Sequence, residues 1–316
     1  MPPESQAVAN LGTPAPAAPT LQAQELCGFL VLDKPSGLTS HGCVAQVRRA
    51  YGLKRVGHGG TLDPAVTGVL PIALGGATRL LPYLTGEKRY RGVVRLGLRT
   101  SSDDLSGDRL EERPVPSLDL GELEAALAPF RGTIQQRPPN VSAVHVDGER
   151  AYKRARRGEE LNLASKTVTI RELHLLGWDP ERAELELAVA CTAGTYIRAL
   201  ARDLGEALGC GGCLAELRRT GALGFDLGQS VPLDRLQLAP PPQLLDPLVV
   251  LGHLERHQLS GEAELASWRC GRSLDTSLEL PDGTAVVVVG PNGTLAGMAQ
   301  AQAGGLQPRL VLQANG

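Results

Sequence analysis

One stretch constrains what this chain can fold into more than any other: Gly57-His58-Gly59-Gly60-Thr61-Leu62-Asp63-Pro64-Ala65-Val66-Thr67-Gly68-Val69-Leu70. Four glycines, a histidine, a proline and one carboxylate lie between the basic pair Lys54-Arg55 and the apolar run Val69 to Leu74. The backbone has to turn tightly where Asp63 is presented, so a lone acid is held on a loop. Pro64 biases Asp63 toward extended geometry and removes the next backbone N–H, which suits a side chain aimed into a cleft. Gly, Asp and Pro are also ordinary turn residues, and an Asx-type turn without chemistry is the competing reading.

At 316 residues the chain is long enough for one sizeable domain and a small second one, and a hydrophobic content of 42% provides a core. No apolar run approaches the roughly 20 residues that span a bilayer, so a soluble, cytoplasmic protein is expected. Residues 1–24 are rich in Ala, Pro and Gln without a basic cluster and read as a disordered tail rather than a signal peptide. Gly28 to Lys34-Pro35 reads as a buried strand entering a turn. Ser36-Gly37-Leu38-Thr39-Ser40 then supplies a cap for a basic helix with Val44, Val47 and Tyr51 on one side, ending near Gly52. Leu70 to Leu74 is a second buried strand, Ala77 to Leu84 a short helix, and Lys88 to Gly97 a strand entered from a basic edge. Leu120, Leu123, Leu127 and Phe130 fall at helical spacing, Leu185 to Cys191 alternates as a strand, and Ile197 to Leu208 is a helix stopping at Gly209. Residues 237–245, with three consecutive prolines, read as a linker. Beyond them come a buried strand Ala285 to Val289 and an Asn292-Gly293 hairpin turn.

The formal net charge of −2 gives no global support to nucleic-acid binding. Local basic clusters exist nevertheless: Arg48-Arg49 with Lys54-Arg55, then Lys88-Arg89 with Arg91, Arg95 and Arg99, then Arg150, Lys153-Arg154 and Arg156-Arg157. Each alone reads as a solvated face; together, around the Asp63 stretch, they point to phosphate contacts. Cys210-Gly211-Gly212-Cys213 is a C-x-x-C, but no second pair or nearby histidine completes a metal tetrad, so no metal site is expected. No Gly-rich phosphate loop follows a strand with nucleotide-fold spacing, and no cofactor is expected.

Gly57-His58, Thr61-Leu62-Asp63-Pro64 and Thr67-Gly68-Val69-Leu70 resemble the catalytic motif of the bacterial tRNA pseudouridine-55 synthases, the TruB family. The resemblance runs from about Gly28 to about Phe225 through several segments in the family's order. It implies an α+β fold: a catalytic domain with a mixed, mainly antiparallel sheet and flanking helices over 25–236, with an RNA-binding insertion at about 134–160. The linker at 237–245 and a small PUA-like RNA-binding β-barrel at 246–316 would follow. The family's nucleophile is the aspartate of this motif, which implies that role for Asp63. Gly194-Thr195-Tyr196-Ile197-Arg198 resembles a motif whose arginine partners that aspartate and whose tyrosine lines the base pocket, implying Arg198 and Tyr196. Tyr90 matches the tyrosine that lies against the target base, and Leu217 an apolar pocket residue. From the residues alone a strand tyrosine is commonly plain core, but the flanking Lys88, Arg89 and Arg91 argue against apolar burial of Tyr90.

His58 is implied to sit against RNA near the flipped nucleotide, although a loop histidine with only backbone bonds fits as well. Lys88, Arg89, Arg154 and Arg156 are the basic residues expected to meet RNA. Gln135 to Ala143 and the basic helix after it resemble the family's thumb over the RNA, with an ordinary surface loop as the alternative. Thr100 to Gly107 departs from the usual pattern, since Ser101 and Ser102 replace an Asp and a Thr while Asp104 and Gly107 keep their places. The activity implied is isomerisation of uridine to pseudouridine at position 55 in the TΨC loop of tRNA, by a single chain with no obligate protein partner. Competing readings are a pseudouridine synthase for another RNA, a tRNA-folding chaperone, and a hydrolase using Asp63, which lacks a second acid or a metal cluster.

Overall fold

The computed structural model describes residues 26–142, 144–146, 148–155, 157, 159 and 163–312. The expected tail over 1–24 and the candidate Arg156 lie outside them. The first half runs β1 (Cys27–Lys34), α1 (Ser40–Tyr51), β2 (Val56–His58), β3 (Thr67–Gly75), β4 (Lys88–Leu96), β5 (Leu98–Thr100), β6 (Arg109–Glu112), α2 (Leu120–Leu127) and β7 (Gly132–Gln136). A small hairpin, β8 (His145–Val146) with β9 (Glu149–Arg150), leads into α3 (Ala151–Ala155). Then follow β10 (Lys166–Asp179), β11 (Glu184–Cys191), α4 (Ile197–Ala207), β12 (Gly212–Ala222), β13 (Phe225–Asp226) and β14 (Val231–Pro232). The last part comprises α5 (Pro247–Val250), β15 (Glu255–Gln258), α6 (Glu262–Arg269), β16 (Leu274–Asp275), β17 (Ala285–Val289), β18 (Leu295–Gln302) and β19 (Gly305–Val311).

A ten-stranded sheet in the order β14-β1-β3-β12-β4-β11-β10-β7, with β2 beside β3 and β13 beside β12, carries the site. Most neighbours are antiparallel; β1–β14 and β3–β12 are parallel. The architecture is α+β and mainly antiparallel, as the sequence implied. A second sheet, β15-β17-β18-β19-β16, closes the chain.

The apolar runs of β1 and β17 are continuous rather than alternating, because both faces of each strand are covered. Leu30 and Leu32 join the core beneath α1 and α4, whereas Phe29 and Val31 face the other way, into a core shared with Leu251, Val287, Val289 and Met298. In β17 Val286 and Val288 pack on Trp268 in the small sheet's own core. The two sheets therefore share a layer of side chains, and Leu245 adds to it by exchanging two backbone bonds with Phe29, at 3.0 and 2.7 Å.

The helix α1 starts where Thr39 caps the Gly42 N–H at 2.9 Å and stops at Gly52, whose φ of 63° only glycine adopts cheaply. The helix expected over Ala77 to Leu84 is instead two 3₁₀ turns, Gly76–Arg79 and Leu81–Tyr83. Pro82 lacks the N–H that a continuing α-helix would direct at Thr78, and the short turns avoid that loss.

Phe29 is fully buried and packs on Phe225 with ring centroids 6.0 Å apart, so Phe29→Ala should cost about 3–5 kcal/mol. Trp178 lies in β10 and Trp268 in α6. In single-tryptophan variants followed by urea unfolding, both should report one coincident transition, shifted together by Phe29→Ala. Separated transitions would show that the shared layer does not couple the two sheets.

Candidate active site

Asp63 is presented between β2 and β3 on a loop held from behind by buried side chains. Ser40 Oγ accepts from the Leu62 N–H at 2.8 Å and donates to the Leu62 carbonyl at 3.1 Å, fixing the residue before the acid. Lys34, with no exposed surface, donates its Nζ to the carbonyls of Pro64 (3.0 Å), Leu38 (2.6 Å) and Pro35 (2.8 Å), fixing the residue after it. Arg219, equally buried, donates to Gly60 and Val69 on the two arms of the loop. The loop cannot relax toward its own backbone, and the Asp63 side chain, 47% exposed, is left facing outward.

The helix α4 brings Arg198 under that carboxylate. Its Nη2 lies 2.9 Å from Asp63 Oδ2 and also donates to the Val141 carbonyl at 3.0 Å, while Nη1 donates to the Ser102 carbonyl at 2.8 Å and Nε stands 3.5 Å from Asp104 Oδ2. The guanidinium is almost completely buried, so its charge acts on the carboxylates through little water. Asp104, which the sequence reading found in its family position but gave no role, is a member of this network. The substituted serines keep its loop in place: Ser102 Oγ donates to Asp104 Oδ1 at 2.6 Å, and Ser101 Oγ accepts from the Asp108 N–H at 3.0 Å.

Asp63 and Arg198 form one wall of a cleft of about 410 Å³, whose other walls include Tyr90, Tyr196, Leu217 and Lys88. Tyr196 is set by Gln136, whose side-chain amide donates to the Tyr196 carbonyl at 3.1 Å and accepts from its N–H at 2.8 Å. Tyr90 is only 7% exposed, which corrects the inference drawn from its basic neighbours. Strand alternation sends Arg89 and Arg91 to the opposite, exposed face, so they do not hinder its burial. Lys88 shares Tyr90's neighbourhood, and burial, reinforced by Arg219, pulls its ammonium below the ordinary lysine value. Across the Asp63–Arg198 wall lies a second cavity of about 490 Å³ that includes Arg91, Asp104 and Arg218. The Arg218 guanidinium is held by Asp33 through two bonds of 2.6 and 3.0 Å.

Six of the residues named from sequence thus line one cleft, and three do not. His58 stands behind the loop, with Nδ1 accepting from the Gly60 N–H at 3.3 Å. Arg89 is exposed on the sheet. Arg154, on α3, pairs with Glu159 at 2.6 Å. The C-x-x-C cysteines are buried free thiols, and burial pushes both pKa values up, Cys213 to about 11. The positioning groups Lys34, Ser40, Gln136 and Arg219 carry no sequence signal beyond lying in or beside motifs, because each acts by reaching a backbone carbonyl or amide that is distant in the chain.

The TruB family pseudouridylate synthase N-terminal domain matches residues 48–197, and the tRNA pseudouridylate synthase B C-terminal domain matches residues 198–245. A protein named tRNA pseudouridine synthase B from Parasynechococcus marenigrum (strain WH8102) is 62% identical over 290 residues, covering 92% of this chain and 98% of the relative. A protein of the same name from Synechococcus sp. (strain WH7803) is 56% identical over 297 residues, covering 92% and 98%. Among solved structures, a Cbf5-Nop10-Gar1 complex aligns with a TM-score of 0.68 at 24% identity, covering 92% of this chain and 85% of that one. An H/ACA RNP bound to a substrate RNA containing 2′-deoxyuridine aligns at 0.66 and 24%, covering 90% and 84%. At that identity the two structures speak for a shared fold alone.

Burial lowers the His58 pKa below the ordinary histidine value, and His41 and Arg219 push it the same way. The imidazole should therefore be neutral at pH 7 and gain its proton only on further acidification. Carbon-detected NMR titration should place His58 below the ordinary histidine value, and His41→Ala should move it upward. A His58 that titrates at the ordinary value would contradict this.

Proposed function

Because the chain belongs to the TruB family of pseudouridylate synthases, we propose that it isomerises uridine to pseudouridine at position 55 in the TΨC loop of tRNA, with Asp63 as the nucleophile. The observation that carries this reading is the 2.9 Å pair between Arg198 Nη2 and Asp63 Oδ2 on the wall of a cleft that also holds two tyrosines and Leu217. In the reaction the C1′–N1 bond breaks, a C1′–C5 bond forms, and the C5 proton is lost while N1 gains one; nothing is consumed. The chemistry asks for a carboxylate that reaches the sugar or base, and a cage in which the detached ring turns without escaping.

A stacked uridine must leave its loop first, at a cost of roughly a few kcal/mol. Stacking on an aromatic face returns roughly 1–3 kcal/mol, and Tyr90 and Tyr196 offer such faces. Leu217 closes the cage without competing hydrogen bonds. Asp63, half exposed in front and bonded to Arg198 behind, can approach the nucleoside while its rotamer stays fixed. Lys88, Arg89, Arg154 and Arg156 are assigned to the RNA backbone, with neutral His58 beside the opened loop. In this reading residues 25–236 are the catalytic domain with its insertion at about 134–160, residues 237–245 the linker, and residues 246–316 a PUA-like domain gripping the tRNA further from the slot. The protein works as a single chain in the cytoplasm, without an obligate protein partner.

Asp63→Asn should abolish tritium release from tRNA labelled at uridine C5, while tRNA affinity stays within about an order of magnitude, since one carboxylate contributes little to phosphate binding. Arg198→Lys should also be severely impaired, because a point charge does not reproduce the planar fork that serves Asp63 and two carbonyls. Pseudouridine formation by pure Asp63→Asn protein would remove the nucleophile assignment.

A further inference from the structure

Arg219 has no exposed surface, and among the described residues no carboxylate pairs with it. Its Nε donates to the Val69 carbonyl at 2.7 Å and its Nη2 to the Gly60 carbonyl at 3.2 Å, so one side chain grips the Asp63 loop both before and after the acid. The backbone of Arg219 is part of the same grip. Gly68, at φ +102°, passes so close that a Cβ there would lie 2.1 Å from the Arg219 carbonyl oxygen.

On its other side the guanidinium neighbours Tyr90, the residue directly opposite Arg219 across the β4–β12 ladder, and its charge acts on the phenol. Nη1 is buried without a regular hydrogen bond, and a Cβ on Gly60 would come 3.6 Å from Nη1 and 4.0 Å from Lys88 Nζ. Two cations therefore flank the same side of the loop, next to the cleft. A neutral amide could bond to two carbonyls without the cost of burying an unpaired charge, so carbonyl anchoring alone does not account for an arginine here.

We propose that Arg219 is a positioning residue for the isomerisation: it fixes the spacing between the Asp63 loop and the Tyr90 ring, and its unneutralised charge, acting through the Tyr90 hydroxyl, favours the detached uracil. The inference rests on the uridine isomerisation proposed above. When C1′–N1 breaks, the bonding pair leaves with N1 and the base carries negative charge. That charge is neutralised when C5 bonds to C1′, returns to the ring as the C5 proton departs, and is removed when N1 takes up a proton. A hydroxyl polarised by a neighbouring guanidinium is a better donor toward an anion, and a cation held in place by the fold needs no reorganisation when the charge develops.

The test is a single-turnover comparison on tRNA of wild type, Arg219→Gln, Arg219→Lys, Tyr90→Phe and the Arg219→Gln, Tyr90→Phe double variant, with tRNA affinity measured for each. Arg219→Gln should slow the chemical step roughly 10²-fold, the scale of a small misplacement of reacting groups, while Kd changes by less than about threefold. Arg219→Lys, which keeps the charge, should recover part of that rate. In the Tyr90→Phe background the same Gln substitution should cost much less, because the two act through one contact.

A rate for Arg219→Gln within about twofold of wild type, a loss confined to affinity, or an equal loss in both backgrounds would overturn the proposal. Wild-type protein that makes no pseudouridine would instead overturn the reaction itself. If Arg219→Gln does not fold, Arg219→Lys takes its place in the cycle and the same comparison decides. The wild-type Tyr90 Cζ resonance provides a readout without any substitution: it should titrate above the ordinary phenol value, and move when Arg219→Lys is introduced. An unmoved resonance counts against the proposal.

Discussion

A single charge pair organises the cleft on the large sheet: a half-exposed carboxylate on a glycine-rich loop, held at 2.9 Å by a guanidinium that is almost wholly buried. A carboxylate with that much solvent around it would ordinarily sample several rotamers. The Arg198 fork removes that freedom, because it is itself tied to the Ser102 and Val141 carbonyls and approached by Asp104. The partners come from four separate segments, and the antiparallel ladder of β4, β11 and β12 brings them together.

The loop around Asp63 is as tightly constrained as the acid. Lys34, Ser40 and Arg219 spend buried polar groups on its backbone, at Pro64, Leu62, Gly60 and Val69. Burying a lysine or an arginine is costly unless its donors are used, and Lys34 directs its ammonium at three carbonyls. Irregular backbone is thereby given the rigidity of a regular element at the position where the sequence permits the most freedom.

Much of this was legible beforehand, and the rest was not for physical reasons. The Asp63 loop announced itself because glycine and proline spacing is a local property, and α1 because Thr39 and Gly52 are local start and stop signals. Leu217, Tyr90, Tyr196 and Arg198 were named through resemblance to a family; periodicity alone offered Tyr90 and Leu217 only as core. Arg219 drew no reading of its own, since nothing in a run of charged residues tells which one turns inward. The charge of Lys88, Arg89 and Arg91 misled the estimate of Tyr90's burial, because composition weighs neighbours equally while a strand separates them onto two faces. The expected helix after β3 failed at Pro82, where a missing donor outweighed good apolar spacing.

The two-sided burial of β1 has a mechanical corollary. The strand is wedged between the large core and the layer it shares with the terminal sheet, and its last residue is Lys34, whose ammonium grips the proline next to Asp63. Strain entering at the C-terminal end thus has a stiff, short load path to the Asp63 carboxylate, with no soft joint along β1 to dissipate it. The terminal sheet serves as a buttress for the slot as well as a neighbour to it.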